Sequence, residues 1–255
     1  MPTPLKLDRV AHSGHYRKRT EPIKYIILHC SLGTPEEQIK TLDELGLSVH
    51  YIIGRDNTTT EVLPPSLVAY HAGISRWQNS KGKSLNECSI GIEIETQTLG
   101  QSPADYQIGV MKKLYSLLNA LCRKYKIRRE NILGHSDIAP TRKPDPGAAF
   151  PWKKLYQYNL GIWYSLRRLD KETDEEKLLN TIGYDITDLS AARYAFCRRY
   201  LPEEVFVEQD IQKLLESPYP AGFAPQNKDK YMHILRAVSF SFAEERRKTY
   251  WYLEK

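Results

Sequence analysis

The chain has 255 residues, of which 41% are hydrophobic and 27% are charged, with a formal net charge of +6 and a pI near 9.0. A chain of this length forms one large domain or two modest ones, and it can bury a sizeable core without disulfide bonds. The basic residues are dispersed along the chain, which favours a solvated surface over nucleic-acid binding. We therefore expect a globular protein with no nucleic-acid partner.

Cysteine spacing and hydropathy bear on the cellular compartment. The four cysteines, Cys30, Cys88, Cys122 and Cys197, form no C-x-x-C pair and are typical of small apolar residues in a reducing environment. Residues 1–20 contain no apolar run that could act as a signal sequence, and no stretch approaches the roughly 18 apolar residues of a membrane span. The sequence therefore predicts a cytoplasmic protein without a membrane span. Export to the periplasm by a route not visible in the sequence is the alternative.

The first predicted elements place a histidine at the end of a strand. Residues 1–22 are polar and basic, and they predict an irregular arm. The apolar run from Ile23 to Leu28 predicts a buried strand that stops at His29. Strand ends and the loops beyond them are where functional sites tend to lie, so His29 is a candidate site residue.

A helix, a hairpin and a long loop are predicted next. Thr34, followed by a proline and two glutamates, is the predicted N-cap of a helix that ends at Gly46. The segments SVHYIIG and TTTEVLP predict two strands joined by a turn. Residues 64–88 predict a loop, which contains His71 and Asn86.

The segment CSIGIEIET predicts a strand with two different faces. Alternation places Ile90, Ile92 and Ile94 on one face, and Glu93 and Glu95 on the other. Such a strand is half-buried or lines a cleft. A carboxylate over a cleft could act as a general base, and the alternative is a solvated acidic face.

The clearest predicted helix is SPADYQIGVMKKLYSLLNALCRKYKI, with Ser102 as its cap. Its apolar stripe consists of Val110, Leu114, Leu117, Leu118, Leu121 and Tyr125. A short strand predicted at NIL then leads into GHSDIAPTRKPDPGAAFPW, residues 134–152. Four prolines stiffen this polar loop.

The stiff loop carries a histidine, a lysine and an aspartate of interest. Asp145 follows His135 by ten residues, and the intervening prolines could hold it facing back towards the histidine. An aspartate that starts a Pro-Gly turn is an equally good interpretation. Lys143 could stabilise an oxyanion if it points into the same cleft, and the alternative is plain solvent exposure. No local zinc signature is present, so spacing alone supports a metal site only weakly.

The composition changes after Trp152. The charged segment RRLDKETDEEK marks a boundary, and the segments beyond it predict helices without a strand of comparable quality. The predicted organisation is an arm at 1–22, an α/β domain at 23–165 and a small all-α domain at 172–255.

Four motifs in order, IILHCS, AYHAG, NECSIGIEIE and GHSDIAPTRKPDPGAAFPW, resemble those of zinc-dependent N-acetylmuramoyl-L-alanine amidases. This family also includes peptidoglycan recognition proteins and amidase-type phage lysozymes. The similarity covers roughly residues 22–160 and is greatest to bacterial amidases that cleave anhydro-muropeptides. It implies a mixed central β-sheet flanked by helices. The segments LLNTIGYDITD and SAARYAFCRRYL weakly resemble a small helical peptidoglycan-binding domain, although the Gly-x-x-Asp turn usual in that domain is not evident.

The resemblance implies a zinc centre with one ion per chain. Its ligands would be His29, which ends IILH, His135, which opens HSDIAP, and Asp145 of KPDPG. Two histidines, one carboxylate and an open fourth position are what a catalytic zinc ion requires.

The resemblance also implies roles for four further residues. Glu93 would be the general base and Lys143 would stabilise the oxyanion, while His71 and Asn86 match positions that contact substrate. The implied reaction hydrolyses the amide between N-acetylmuramic acid, including its 1,6-anhydro form, and L-alanine in peptidoglycan fragments, for cell-wall recycling or turnover. A non-catalytic peptidoglycan-binding or sensing protein is the alternative. Oligomeric state, stem-peptide preference and the choice between intact wall and soluble fragments are left open.

Overall fold

The computed structural model describes residues 7–78, 80, 84–205 and 210–253. The strands of these residues are β1 (Arg9–Val10), β2 (Tyr16–Lys18), β3 (Tyr25–Leu32), β4 (Tyr51–Ile53), β5 (Thr59–Glu61), β6 (Leu67–Ala69), β7 (Ser89–Thr96) and β8 (Ile132–Gly134). The helices are α1 (Pro35–Glu44), α2 (Ile108–Tyr125), α3 (His135–Ile138), α4 (Trp152–Gln157), α5 (Glu175–Ile182), α6 (Leu189–Tyr200), α7 (Ile211–Glu216) and α8 (Lys228–Leu253).

A mixed sheet forms the centre of the molecule and confirms the expected fold class. Its strand order is β1-β5-β4-β7-β3-β8. Strand β3 is parallel to both β7 and β8, whereas β4 and β5 form the predicted antiparallel hairpin. One face of the sheet packs on α2, whose apolar stripe contacts Ile90, Ile92 and Ile94 as the alternation predicts. The other face therefore carries Glu93 and Glu95.

Strand β3 extends beyond the point where its apolar run stops. The prediction that it ends at His29 is wrong, because backbone pairing with β7 continues through Leu32. From His29 onward, the side chains of β3 on this face are polar and belong to the candidate site. The backbone hydrogen bonds between β3 and β7 continue past this point. His29 consequently lies within a rigid strand, directly opposite Glu93 of β7.

Helix α2 begins later than predicted, at Ile108 rather than after Ser102. Ser102 caps only a single 3₁₀ turn at Pro103–Asp105. The Asp105 carboxylate accepts hydrogen bonds from the backbone of the preceding loop, at Gln97 N (2.7 Å) and Gly100 N (3.1 Å). These bonds hold Asp105 in the loop conformation, so this residue does not take part in the first turn of α2.

The N-terminal segment is more ordered than an irregular arm, although residues 1–6 lie outside the described residues. Strand β1 pairs with β5, and β2 pairs with β6 in a second, two-stranded sheet. Arg19 then donates hydrogen bonds to five carbonyl oxygens, those of Pro65 (2.8 Å), Leu67 (2.8 Å), Asn86 (3.4 Å), Glu87 (2.6 Å) and Ser89 (2.9 Å). The arginine thus ties this segment to the loop that precedes β7.

The segment after residue 165 is helical throughout its described part, as predicted. It packs directly on the sheet, because one hydrophobic cluster contains Ile27 and Leu133 of the sheet together with Phe196, Leu235 and Phe242 of α6 and α8. The division into domains at 165–172 remains a prediction. No helix within the described residues has the length and apolar character needed to span a membrane.

Candidate metal centre

Three predicted ligands, distant in sequence, meet in the structure. His29 Nδ1 lies 2.9 Å from His135 Nδ1, and Asp145 Oδ2 lies 3.3 Å from the His135 nitrogen and 3.6 Å from the His29 nitrogen. All three residues are buried. Ligands bound tetrahedrally to zinc at about 2.0–2.1 Å are about 3.3 Å apart, so the spacing fits such an ion. His29, His135 and Asp145 therefore form a group that can hold a metal ion.

Backbone hydrogen bonds of the stiff loop bring Asp145 back to His135. Ser136 N donates to the Asp145 carbonyl at 2.7 Å, which closes the loop next to the histidine. Cys30 N, on β3, lies 3.4 Å from Asp145 Oδ2 and fixes the carboxylate against the strand. Of the two interpretations of Asp145 that the spacing allows, the structure supports the one in which it faces His135.

The outer nitrogens of both histidines have partners that suit metal ligation. His135 Nε2 lies 3.3 Å from the Ala72 carbonyl, which can only accept, so a proton on Nε2 would be hydrogen-bonded there and would leave the Nδ1 lone pair for a metal ion. His29 Nε2 lies 3.0 Å from His71 Nδ1, which can accept its proton in the same way. Two imidazole lone pairs and a carboxylate oxygen that face one another repel unless a cation lies between them.

Electrostatics hold His29 and Asp145 in the protonation states that a metal needs. Burial, reinforced by the charge of His135, lowers the pKa of His29 to about 4, so its imidazole is neutral near pH 7. Burial would raise the pKa of Asp145, but His135 and His29 lower it well below its ordinary value, so this carboxylate is ionised. Neutral imidazoles and an ionised carboxylate are the ligand forms that bind metal ions.

Glu93 lies beside the cluster, on the same face of the sheet. It is 6% exposed, and its Oε2 accepts a hydrogen bond from Ser31 Oγ at 2.7 Å. Burial, together with the nearby charge of Asp145, raises the pKa of Glu93 to about 8. A carboxylate with a pKa near neutrality can both take and return a proton.

Lys143 approaches the cluster from the stiff loop. It is half-buried, and its positive charge lowers the pKa values of both His29 and Glu93, although burial has the larger effect on each. Its backbone nitrogen donates to the Ala139 carbonyl at 3.0 Å. The lysine therefore adds a cation at the edge of the site.

His71 and Asn86 lie next to the candidate metal ligands, and both are hydrogen-bonded within the protein. Both ring nitrogens of His71 have protein partners, since Nε2 lies 3.1 Å from Ser89 Oγ. Its ring packs against Gly91, where a Cβ atom would come within 2.5 Å of the ring. Asn86 Oδ1 accepts from the backbone nitrogens of His71 (3.1 Å) and Ala72 (2.7 Å). The predicted substrate contacts of these residues stay predictions, and their observed partners lie within the protein.

A cavity of about 710 Å³ opens next to the cluster. Its lining includes Asn86, Arg76 and Arg142, and the helical segment contributes Asp185 and Thr187. Arg142 donates to the Ala72 carbonyl at 3.2 Å, the same oxygen that contacts His135 Nε2. The cavity wall and His135 therefore share the Ala72 carbonyl as a contact, although His29, His135 and Asp145 are not among the lining residues.

Sequence reasoning missed two of the supporting residues. Ser31 shares the strand face of His29, so period-2 alternation in HCS could have revealed that it points at the same site. Arg199 contacts the loop of His135 from α6, and no local pattern in the sequence links them. Asp137 stabilises the start of the stiff loop, because its Oδ2 accepts from Gly134 N at 2.8 Å.

The chain also matches a known family of hydrolases. A family model described as N-acetylmuramoyl-L-alanine amidase matches residues 19–148, about half of the chain. The chain belongs to this family.

Two named relatives illustrate the similarity. N-acetylmuramoyl-L-alanine amidase AmiD of Escherichia coli is 32% identical over 160 residues, which are 58% of this chain and 57% of that protein. The 1,6-anhydro-N-acetylmuramyl-L-alanine amidase AmpD of Enterobacter cloacae is 40% identical over 113 residues, which are 44% of this chain and 57% of AmpD. The chain spans little more than half the length of these curated relatives.

Solved structures extend the likeness beyond the residues that the family model matches. Escherichia coli AmiD, in a complex with anhydro-N-acetylmuramic acid-L-Ala-D-gamma-Glu-L-Lys, superimposes with a TM-score of 0.64 at 26% identity, over 85% of this chain and 88% of that one. AmpDh3 of Pseudomonas aeruginosa superimposes with a TM-score of 0.66 at 24% identity, over 88% of this chain and 95% of that one. The second likeness concerns the fold alone.

Proposed function

We propose that the protein is a zinc-dependent N-acetylmuramoyl-L-alanine amidase. In this proposal one zinc ion per chain is bound by His29, His135 and Asp145. The observation that carries it is the convergence of three buried ligand atoms at 2.9–3.6 Å beside the buried carboxylate of Glu93. The substrate is the amide between N-acetylmuramic acid and L-alanine, as in the names of AmiD and AmpD.

Each part of the site has a task in amide hydrolysis. A bound zinc ion would supply a Lewis acid that polarises the amide carbonyl and lowers the pKa of water. Glu93 Oε takes a proton from the attacking water and then delivers it to the leaving amine nitrogen of L-alanine. Its raised pKa suits both steps, and the hydrogen bond from Ser31 keeps the carboxylate oriented. The ammonium of Lys143 stabilises the oxyanion of the tetrahedral intermediate.

The neighbouring cavity suits an anionic peptide. Arg142 on its wall can pair with a carboxylate of a stem peptide, whereas Arg76 already pairs with Asp185 at 3.4 Å. An anhydro-muropeptide is the favoured substrate, because AmiD has been solved with one bound. The contribution of Asp185 and Thr187 to the same wall gives the segment 172–255 a place in substrate binding. Recycling of wall fragments in the cytoplasm is the proposed setting, which cell fractionation tests.

The decisive experiment combines metal analysis with turnover. Purified protein should contain about one zinc ion per chain and release L-Ala-peptides from anhydro-muropeptides. Glu93→Gln should lose about a hundredfold or more in kcat, whereas Glu95→Gln on the same strand face should retain activity. Glu95 is the matched control because its carboxylate accepts from Arg55 N, away from the cluster. Full activity in both Glu93→Ala and Asp145→Ala would refute the proposal.

Two further measurements separate the remaining alternatives for the function. Comparing turnover on intact sacculi with turnover on soluble anhydro-muropeptides separates a wall-degrading enzyme from a recycling enzyme. Tight muropeptide binding by zinc-free protein without any hydrolysis would instead indicate a sensing protein.

A further inference from the structure

A buried polar cluster joins the C-terminal helices to the short helix that carries His135. Its centre is Asp137, which is 1% exposed and lies two residues after that histidine. The Asp137 carboxylate accepts from Gly134 N at 2.8 Å, from the Tyr184 hydroxyl at 2.8 Å and from the Arg199 guanidinium. Tyr184 follows α5 and Arg199 lies on α6, so two parts of the helical segment converge on one residue of α3.

Arg199 also contacts both ends of the stiff loop. Its second terminal nitrogen lies 3.3 Å from the carbonyl oxygen of Ile132, in the strand that leads to His135. Its guanidinium stacks 3.8 Å from the ring centre of Trp152, where the loop ends. The side chain is 2% exposed. A buried ion pair of this kind contributes little net stability in many proteins, so its geometry is the more informative property.

The cluster bears directly on the direction of His135. The amide that Asp137 accepts from belongs to Gly134, the residue immediately before the histidine. Gly134 packs closely against the stiff loop, because a Cβ atom there would come within 2.9 Å of the Pro146 ring. Metal ligands must be held within about 0.5 Å of their productive positions by surrounding contacts. Holding the backbone of Gly134 therefore constrains where His135 begins, and with it the direction of its Nδ1 lone pair.

We propose that Arg199 and Tyr184 are positioning residues for the metal centre, acting on His135 through Asp137. The helical segment is then a structural part of the zinc site rather than an independent module joined to it. The expected effect of Arg199 and Tyr184 on metal binding rests on the proposed zinc-dependent function. Their expected effect on the order of α3 does not depend on that function.

The test compares Arg199→Met and Tyr184→Phe with Arg198→Met. Arg198 is the matched control, because it is equally buried on the same helix but donates to Pro218 O at 2.6 Å, within the helical segment. Zinc affinity is measured by competition with a chelator, the ligand field by the visible spectrum of the cobalt-substituted protein, and stability by urea unfolding. Arg199→Met should weaken zinc binding by about tenfold or more and alter the cobalt spectrum. Tyr184→Phe should weaken it severalfold.

The control defines the outcome that would overturn the proposal. Arg198→Met should lose stability but keep the zinc affinity and cobalt spectrum of the unmodified protein. Arg199→Lys, which retains the charge but not the planar fork, should recover part of the affinity. If Arg199→Met and Tyr184→Phe bind zinc as Arg198→Met does, the positioning role is refuted. Tyr184→Phe removes one hydroxyl and decides the matter even if Arg199→Met does not fold.

Hydrogen exchange of the metal-free protein separates the two proposals. Amides of residues 134–138 should exchange faster in Arg199→Met and Tyr184→Phe than in Arg198→Met. If the unmodified protein binds no zinc, the proposed function fails, and this exchange measurement still decides the positioning role. Equal exchange in all three variants would refute it.

Discussion

His29 and Glu93 occupy paired positions on the neighbouring parallel strands β3 and β7. Residues paired in this way project from the same face of a sheet, so the strand pairing alone places His29 beside the Glu93 carboxylate. Ser31, two residues along β3, lies on the same face and orients Glu93 with a hydrogen bond of 2.7 Å. The sheet therefore provides a rigid base for the site, and the loops deliver the remaining groups to it.

Removal of metal should reduce stability in a way that depends on Asp145. Three acceptor atoms within 3.6 Å of one another repel when no cation separates them. At a free zinc concentration about one hundredfold above Kd, we expect zinc to add about 2.7 kcal/mol to the free energy of unfolding. Urea unfolding with and without a chelator measures the difference. Asp145→Asn should lose most of this gain, and an equal gain in that variant would contradict the assigned ligand set.

Substitution of His71 should weaken metal binding without removing a ligand. Its Nδ1 is the partner of His29 Nε2, and loss of such an outer contact costs about 10–100-fold in metal affinity. We expect His71→Ala to fall in this range when zinc affinity is measured by chelator competition. His50→Gln is the control, because it also removes a buried imidazole but one that contacts the Gly91 and Leu67 backbone. Equal effects of the two substitutions would argue against this role.

The stability of the metal-free protein should depend on pH through Glu93. Its pKa is raised to about 8 in the folded state, mainly by burial, from an ordinary value near 4.5. The folded state therefore favours the protonated acid, so stability is greatest below the unfolded pKa and is lost as pH rises to about 8. Glu93→Gln should not show this loss of stability, because glutamine does not ionise. The stability difference between Glu93→Gln and the unmodified protein, measured in chelator by urea unfolding, should grow by a few kcal/mol between about pH 5 and pH 8.

The Arg19 contacts should make the N-terminal segment important for stability. The guanidinium donates to five backbone carbonyls around the loop before β7, and its removal leaves them without these donors. We expect Arg19→Met to lower the free energy of unfolding by about 3 kcal/mol. Arg17→Met is the control, because Arg17 forms an ion pair from a half-exposed side chain. Its cost should stay within about 1 kcal/mol, and a similar loss in both variants would contradict the role of Arg19.

Local sequence patterns were sufficient for much of the fold. The alternation in CSIGIEIET predicted which face of β7 is apolar, and the stripe of α2 predicted its buried side. These properties follow from the periodicity of a strand or a helix, which neighbouring residues define. The bounds of elements were less predictable, because a competing contact decides them. Asp105 delays α2 by hydrogen bonding to a loop, and pairing with β7 prolongs β3.

The candidate ligands could be named from the motifs that resemble the family, but spacing alone left Asp145 divided between two interpretations. Contacts between segments far apart in the chain resolved it. His29 and His135 are 106 positions apart, and their Nδ1 atoms lie 2.9 Å from each other. No local sequence pattern indicated the ion pair between Arg199 of α6 and Asp137 of α3. A buried ion pair depends on where two distant segments of the chain meet. The sequence determines which chemical groups the chain carries, whereas packing across the whole chain determines where each side chain points and what surrounds it.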